Sequence, residues 1–185
     1  MVHKLCLHYG PYVSTVQGEL FHDFPTPEAL TGPKVESHLR ELGFGYRAKY
    51  IAETARIITE ERPLGWLDSL RNPECPALGA IKQEESDEKT AASPTYTAAQ
   101  EALLGLSGVG PKVADCVCLM GLGWAEAVPV DTHVWQIAQR DYNFGKGAKT
   151  KTMNKAMYDA VGLHFRKIVR LGRLPLLILV SISDG

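Results

Sequence analysis

The run Gly108-Val109-Gly110, followed at once by Pro111, constrains this chain more than any other stretch. Two glycines one residue apart permit a tight turn whose backbone N–H groups point outward. Proline fixes φ near the helical value and has no N–H to lose, so it suits the first position of a helix. The turn therefore closes one element and opens another. Upstream, Thr97-x-x-Gln100 predicts a capping box, and Ala99, Leu103, Leu104 and Leu106 predict a core-facing helix. Downstream, Val113, Cys116, Val117 and Met120 fall at i, i+3, i+4 and i+7, which predicts the buried stripe of the next helix. Gly121-Leu122-Gly123 ends it.

A further helix start follows at Val128-Pro129-Val130-Asp131-Thr132-His133, with Asp131 at the N-cap. Val134, Ile137 and Ala138 predict its buried side, with Trp135 alongside. The stretch through Tyr9 reads as a helix end stopped by Gly10-Pro11, and Pro27 to Leu30 as a short helix. Val35, Leu39 and Leu42 mark one amphipathic helix. Ile51, Ala55 and Ile58, with Ala48 and Ala52, mark another that Pro63 stops. A last helix, about Met153 to Val169, carries Ala156, Ala160 and Leu163. Nothing alternates like a strand series before the tail, so the expected class is all-α. Leu174 to Ile182 is an apolar run without a helical face, open to reading as strand or helix fragment. The expected organisation is a helical part over 1–71, a flexible acidic insert over 72–95, a helix–hairpin–helix and catalytic region over 96–169, and an atypical apolar tail over 170–185.

At 185 residues the chain holds one domain, or one plus a fragment. The net charge of −1 excludes a globally basic protein, so any nucleic-acid binding must rely on a local patch and aimed backbone donors. The basic residues between Arg140 and Arg173 are the expected patch. Cys6, Cys75, Cys116 and Cys118 form no CxxC pair or zinc spacing, so reduced thiols, an intracellular setting and no metal site are expected. Neither a signal-peptide stretch nor a bilayer-spanning run is present in the sequence, and no membrane role is expected.

The hairpin and the positive end of the following helix suit a phosphate. A plain helix–turn–helix joint is the other reading of Gly108, Val109 and Gly110. Lys112 sits on that helix's first turn, where the dipole disfavours a cation; with partial burial this favours the free amine that a nucleophile needs. A solvated lysine contacting phosphate is the alternative. Asp131 is either a simple N-cap or a cap whose rigid carboxylate also does chemistry. His133 is a phosphate donor or an ordinary histidine.

LSGVGPKVADC followed by VPVDTHVW resembles the helix–hairpin–helix plus Gly/Pro-Asp motif of the DNA glycosylase superfamily. GVGPKVADC, VPVDTHVWQIAQRDY and LGFGYRAKY (42–50) are similar to the eukaryotic 8-oxoguanine DNA glycosylase/AP lyases within it. The resemblance covers roughly Leu5 to Arg166 apart from the insert. It implies a base-excision repair enzyme that removes oxidised purines from double-stranded damaged DNA, with AP lyase activity through a lysine Schiff base. No cofactor is implied. Lys112 matches the nucleophile that attacks the deoxyribose C1′, and Asp131 the carboxylate that stabilises the developing sugar cation. Cys116 matches a lining residue of the flipped-base pocket, and Phe21 an aromatic wedged beside the base left behind. Gly108, Gly110 and His133 match phosphate contacts. The family's N-terminal domain and final base-reading helix find no match, so the resemblance implies truncation at the N-terminus and an atypical C-terminus. No four-cysteine pattern follows the catalytic region, unlike the iron–sulfur branch. A monomer in the nucleus, with the mitochondrion as a second site, is expected. Two rivals are a monofunctional alkyl-base glycosylase of the same superfamily and a non-catalytic DNA-binding module.

Overall fold

The computed structural model describes residues 1–75, 94–144 and 153–170, with Val169 and Arg170 described by their backbone alone. The chain divides into two compact units, Met1–Ser69 with Leu104–Val109, and Leu70–Leu103 with the chain from Gly110 onward.

The first unit opens with α1 (Val2–Tyr9), stopped at Gly10, whose N–H donates to the Cys6 carbonyl at 2.8 Å. An antiparallel pair follows, β1 (Tyr12–Val16) and β2 (Glu19–His22). The rest of the described chain is helical, so the expected helical class holds, with this small sheet as an addition the sequence did not announce. Both strands are largely solvent-facing on both sides, so the sequence shows no alternation. The pairing is set instead by the two-residue turn Gln17-Gly18, with φ of 53° and 85°, whose twist matches that of the strands. A single 3₁₀ turn (Glu28–Leu30) leads to α2 (Val35–Glu41) and α3 (Arg47–Arg56), which runs on as a π-helical turn over Ile57–Glu61. The short α4 (Trp66–Ser69) closes the unit. Leu5, Leu30, Val35, Leu39, Phe44, Ala48 and Ala55 form its core. The apolar stripes expected for α2 and α3 are the faces turned inward.

In the second unit lie α5 (Tyr96–Leu104, up to Leu103), α6 (Pro111–Met120), α7 (Thr132–Tyr142) and α8 (Lys155–Arg170). Val128, Val130, Val134, Trp135, Ala138, Tyr158, Val161 and Phe165 pack as one cluster. Burial of a side chain such as Phe165 stabilises by about 2 kcal/mol.

Three local expectations need correction. The α5 cap is Thr95, whose hydroxyl accepts from the Ala98 N–H at 3.3 Å, and not Thr97; Gln100 is turned to other partners. On α6 the buried face is Ala114, Asp115 and Cys118, while Val113 is exposed and Met120 is 72% exposed. On α8 the inward residues are Tyr158, Val161 and Phe165, while Ala156, Ala160 and Leu163 face solvent. In both helices polar or aromatic hydroxyl-bearing residues occupy the inner face, and a purely apolar template passes over them.

Most of the expected insert and nearly all of the tail lie outside the described residues. Asn72, at the start of the expected insert, is tied down: its N–H donates to the Leu122 carbonyl at 2.9 Å and its side-chain amide to the Gly123 carbonyl at 3.0 Å. Among the described residues no helix is long and apolar enough to cross a membrane, and no cluster of three or more His, Cys, Asp or Glu could hold a metal ion. All four cysteines are free thiols.

Candidate active site

The hairpin is shaped from within the first unit. Gly108 adopts φ +74°, in the left-handed region, and a Cβ there would lie 2.5 Å from Cγ of Tyr50. Only glycine satisfies both the dihedral and the ring. The Thr54 hydroxyl donates to the Ser107 carbonyl at 2.9 Å, so two residues of α3 grip the turn. The Val109 N–H donates to the Leu106 carbonyl at 3.3 Å. That amide is used in closing the turn.

Gly110 is the N-cap of α6, in an extended conformation, with Pro111 at the first helical position and no side chain capping the turn. The amides of Lys112 and Val113 have no carbonyl one turn back inside the helix. A Cβ on Gly110 would meet nothing within 4 Å. A phosphate can therefore approach the backbone closely at this point. Lys112 is exposed and makes no hydrogen bond or ion pair among the described residues. The expected partial burial is absent. Cys116, one turn further on, is half-buried with a free thiol.

Asp131 caps α7. One oxygen, Oδ1, accepts from the N–H groups of both His133 and Val134 at 2.9 Å. Oδ2 accepts nothing among the described residues. The half-buried carboxylate is thus fixed through one oxygen and available through the other. The His133 imidazole is exposed on the same first turn.

Behind α6 lies a polar cluster that sequence reasoning missed. Asp115 is 1% exposed and is the buried charged residue of the described chain. Its Oδ1 accepts from the Tyr96 hydroxyl at 2.6 Å and from Gln100 at 2.5 Å. Its Oδ2 accepts from the Tyr158 hydroxyl at 2.5 Å. The Tyr158 hydroxyl in turn accepts the Val130 N–H at 3.2 Å, one residue before Asp131. Arg166 donates to the Tyr96 hydroxyl at 3.2 Å with its guanidinium 5.4 Å from that ring's centre. Burial, then hydrogen bonding to Asp115, pushes both tyrosine pKa values up. Burial, then the Asp115 charge, pushes the Cys118 thiol up to about 11. The available signal was a lone carboxylate amid small apolar neighbours, Ala114 and Cys118, where a helix would otherwise bury only carbon.

Other expected residues sit apart. Phe21 is exposed on β2 and lines a cleft with Val2, Cys6 and Leu7 of α1. The aromatic that is linked to the hairpin is Tyr46, 65% exposed: its ring stacks edge-on with Tyr50 at 6.1 Å, and Arg47 lies over it at 4.7 Å. Of the expected basic patch, Lys155 and Lys167 are exposed among the described residues. Arg140 is paired with Asp141 at 2.7 Å and Arg166 is turned to Tyr96. Lys146, Lys149, Lys151 and Arg173 lie outside the described residues.

Two helices joined through a glycine hairpin, with a carboxylate at the head of the next helix, define a helix–hairpin–helix protein. Residues 5–161 match the HhH-GPD superfamily of base excision DNA repair proteins, and the chain belongs to that family. It is 40% identical over 168 residues to an N-glycosylase/DNA lyase of Saccharomyces cerevisiae, covering 91% of this chain and 41% of that protein. It is 41% identical over 140 residues to the N-glycosylase/DNA lyase OGG1 of Arabidopsis thaliana, covering 74% of this chain and 31% of that one. The chain thus spans well under half the length of these relatives. The fold is similar to that of the Clostridium acetobutylicum 8-oxoguanine glycosylase/lyase bound to double-stranded DNA with cytosine opposite 8-oxoG, with a TM-score of 0.66 at 23% identity, covering 100% of this chain and 53% of that one.

Proposed function

We propose that this chain is the helix–hairpin–helix portion of a base-excision repair enzyme that removes oxidised purines, 8-oxoguanine first, from double-stranded DNA and then cleaves the abasic strand. The observation that carries the reading is the pairing of two helix starts in one motif. One presents Lys112, which has no side-chain partner among the described residues, on a turn without a side-chain cap. The other presents a fixed carboxylate, Asp131, with one oxygen free among the described residues. The relatives named above as N-glycosylase/DNA lyases support the same chemistry.

The chemistry follows from those groups. The target nucleotide leaves the stack, at a cost of a few kcal/mol. The hairpin end and the amides of Lys112 and Val113 hold a neighbouring phosphate, with the α6 dipole behind them. As the glycosidic bond breaks, positive charge grows on the sugar, and the Asp131 carboxylate opposes it. The Lys112 amine forms a bond to C1′ as the base departs. The sugar ring then opens, its oxygen taking a proton, and an imine remains between Lys112 and C1′. Loss of a C2′ proton from that imine expels the 3′ phosphate by β-elimination. Cys116 is assigned to the wall of the base pocket.

Borohydride reduces such an imine to a stable amine. Incubation with an abasic duplex and borohydride is expected to give a covalent protein–DNA adduct. If the chain binds duplex DNA but never yields an adduct, the lyase reading fails, and release of an alkylated base then separates a monofunctional enzyme from a non-catalytic DNA-binding module. Adduct formation excludes a monofunctional alkyl-base enzyme.

A further inference from the structure

We infer that Tyr158, held by Asp115, is a positioning residue that sets the Lys112 helix and the Asp131 carboxylate against one common reference, the Tyr158 hydroxyl. This rests on the lyase reading above. The hydroxyl makes two bonds in opposite senses. It donates to Oδ2 of Asp115, three residues after Lys112 on α6. It accepts from the N–H of Val130, the residue before Asp131. The path from one reactive residue to the other therefore runs through a single α8 oxygen, buried at both bonds.

Each link is buried and held from both sides. Asp115 cannot turn on its helix, because its other oxygen is held by Tyr96 and Gln100. Tyr158 cannot swing out, because its ring belongs to the cluster with Val130, Val134 and Phe165. Val130 is itself 1% exposed. Its amide needs a partner, and the hydroxyl supplies it. Plain stabilisation of the fold needs no such sharing. A carboxylate bonded to three donors from elsewhere would stabilise α6 equally well, yet leave the Val130–Asp131 strand to its own packing. Reacting groups displaced by about 1 Å lose rate on the order of a hundredfold. A shared anchor limits that displacement without itself reaching the DNA.

Two variants separate positioning from stability. Tyr158→Phe removes both bonds of the link and keeps the ring. Tyr96→Phe removes a bond to the same carboxylate and leaves the link to Val130 whole. The full 185-residue chain and both variants are assayed well below their melting temperatures for single-turnover adduct formation and for duplex affinity. Tyr158→Phe should slow adduct formation on the order of tenfold with affinity within about twofold. Tyr96→Phe should melt earlier yet keep its rate within about twofold. Equal slowing in both, or no slowing in Tyr158→Phe, overturns the inference. A readout independent of activity and of either variant's folding is hydrogen exchange at the Val130 amide, which should be strongly protected in the unmodified chain. Rapid exchange there overturns the inference even where the unmodified chain forms no adduct, an outcome that by itself counts against the lyase reading.

Discussion

Helices α6 and α7 begin within one stretch of chain, and their first turns are finished in opposite ways. At α7 a carboxylate is built in: Asp131 accepts two of the orphan amides and lies where the dipole favours a negative charge. At α6 nothing is built in. Gly110 offers no side chain, Pro111 no N–H, and the one charged group on that first turn is a cation. The capped end satisfies its own donors and so serves as a source of fixed negative charge. The bare end keeps its donors for an anion from outside; in the proposed function that anion is a DNA phosphate, which offsets the unfavourable placement of Lys112. In the proposed function the carboxylate and the phosphate, which would repel each other on one helix end, fall on two.

The largest effect expected from this division is at the bare end. Lys112→Gln should abolish the borohydride adduct while duplex affinity stays within a few fold; a surviving adduct would assign the nucleophile to another amine. At the capped end, Asp131→Asn keeps an oxygen for the two amides and loses only the charge. Base release should slow on the order of a hundredfold with little change in melting temperature, whereas Asp131→Ala should also lose about 1 kcal/mol of helix capping. Equal rates of base release in the unmodified chain and in Asp131→Asn would reduce the residue to a cap. Next comes salt. If the bare end and Lys112 together meet about two phosphates, affinity should fall about tenfold between roughly 50 and 200 mM salt, and a flat titration would contradict phosphate binding there. Gly108→Ala forces a left-handed alanine, worth about 1–2 kcal/mol, and pushes the Tyr50 ring aside. A loss of several degrees in melting temperature is expected, as about 1 kcal/mol shifts a domain of this size by roughly 2–4 °C.

The smallest expected effect is alkaline. The Cys118 thiol is held protonated up to about 11, against 9.0 when unperturbed. The folded state therefore retains a proton that the unfolded chain gives up, and stability is lost as pH rises from about 9 through about 11. Tyr96 and Tyr158, shifted in the same direction, extend the loss upward. Melting curves should hold steady through neutral pH and decline above that point. Cys118→Ala should remove the earliest part of the decline.

What the sequence made legible was local. Pro111 announces a helix whatever surrounds it, and Asp131 announces a cap because the bond is made to amides two and three residues away. The glycine hairpin is likewise a property of its own dihedrals. The illegible parts depend on partners distant along the chain. Asp115 is inside only because Tyr96 and Tyr158, 19 and 43 residues away, bring hydroxyls to it. Without them an isolated carboxylate belongs in water, so the apolar template gave the buried face to Val113 and Met120 instead. Leu163 misled in the same way on α8. The β1–β2 pair escaped notice because its strands bury neither face.

Gly108 and Gly110 differ in what a selection experiment can see. A library screened for thermal robustness or soluble yield will reject any side chain at Gly108, where the Tyr50 ring stands in the way. The same screen is blind to Gly110, where a methyl group enters empty space on an ordinary extended backbone. On the proposed function, that methyl would nevertheless occupy the place where a phosphate comes nearest to the main chain. Variants enriched for robustness can therefore accumulate at Gly110 while losing their hold on DNA, and only a screen that scores the bound strand will keep glycine there.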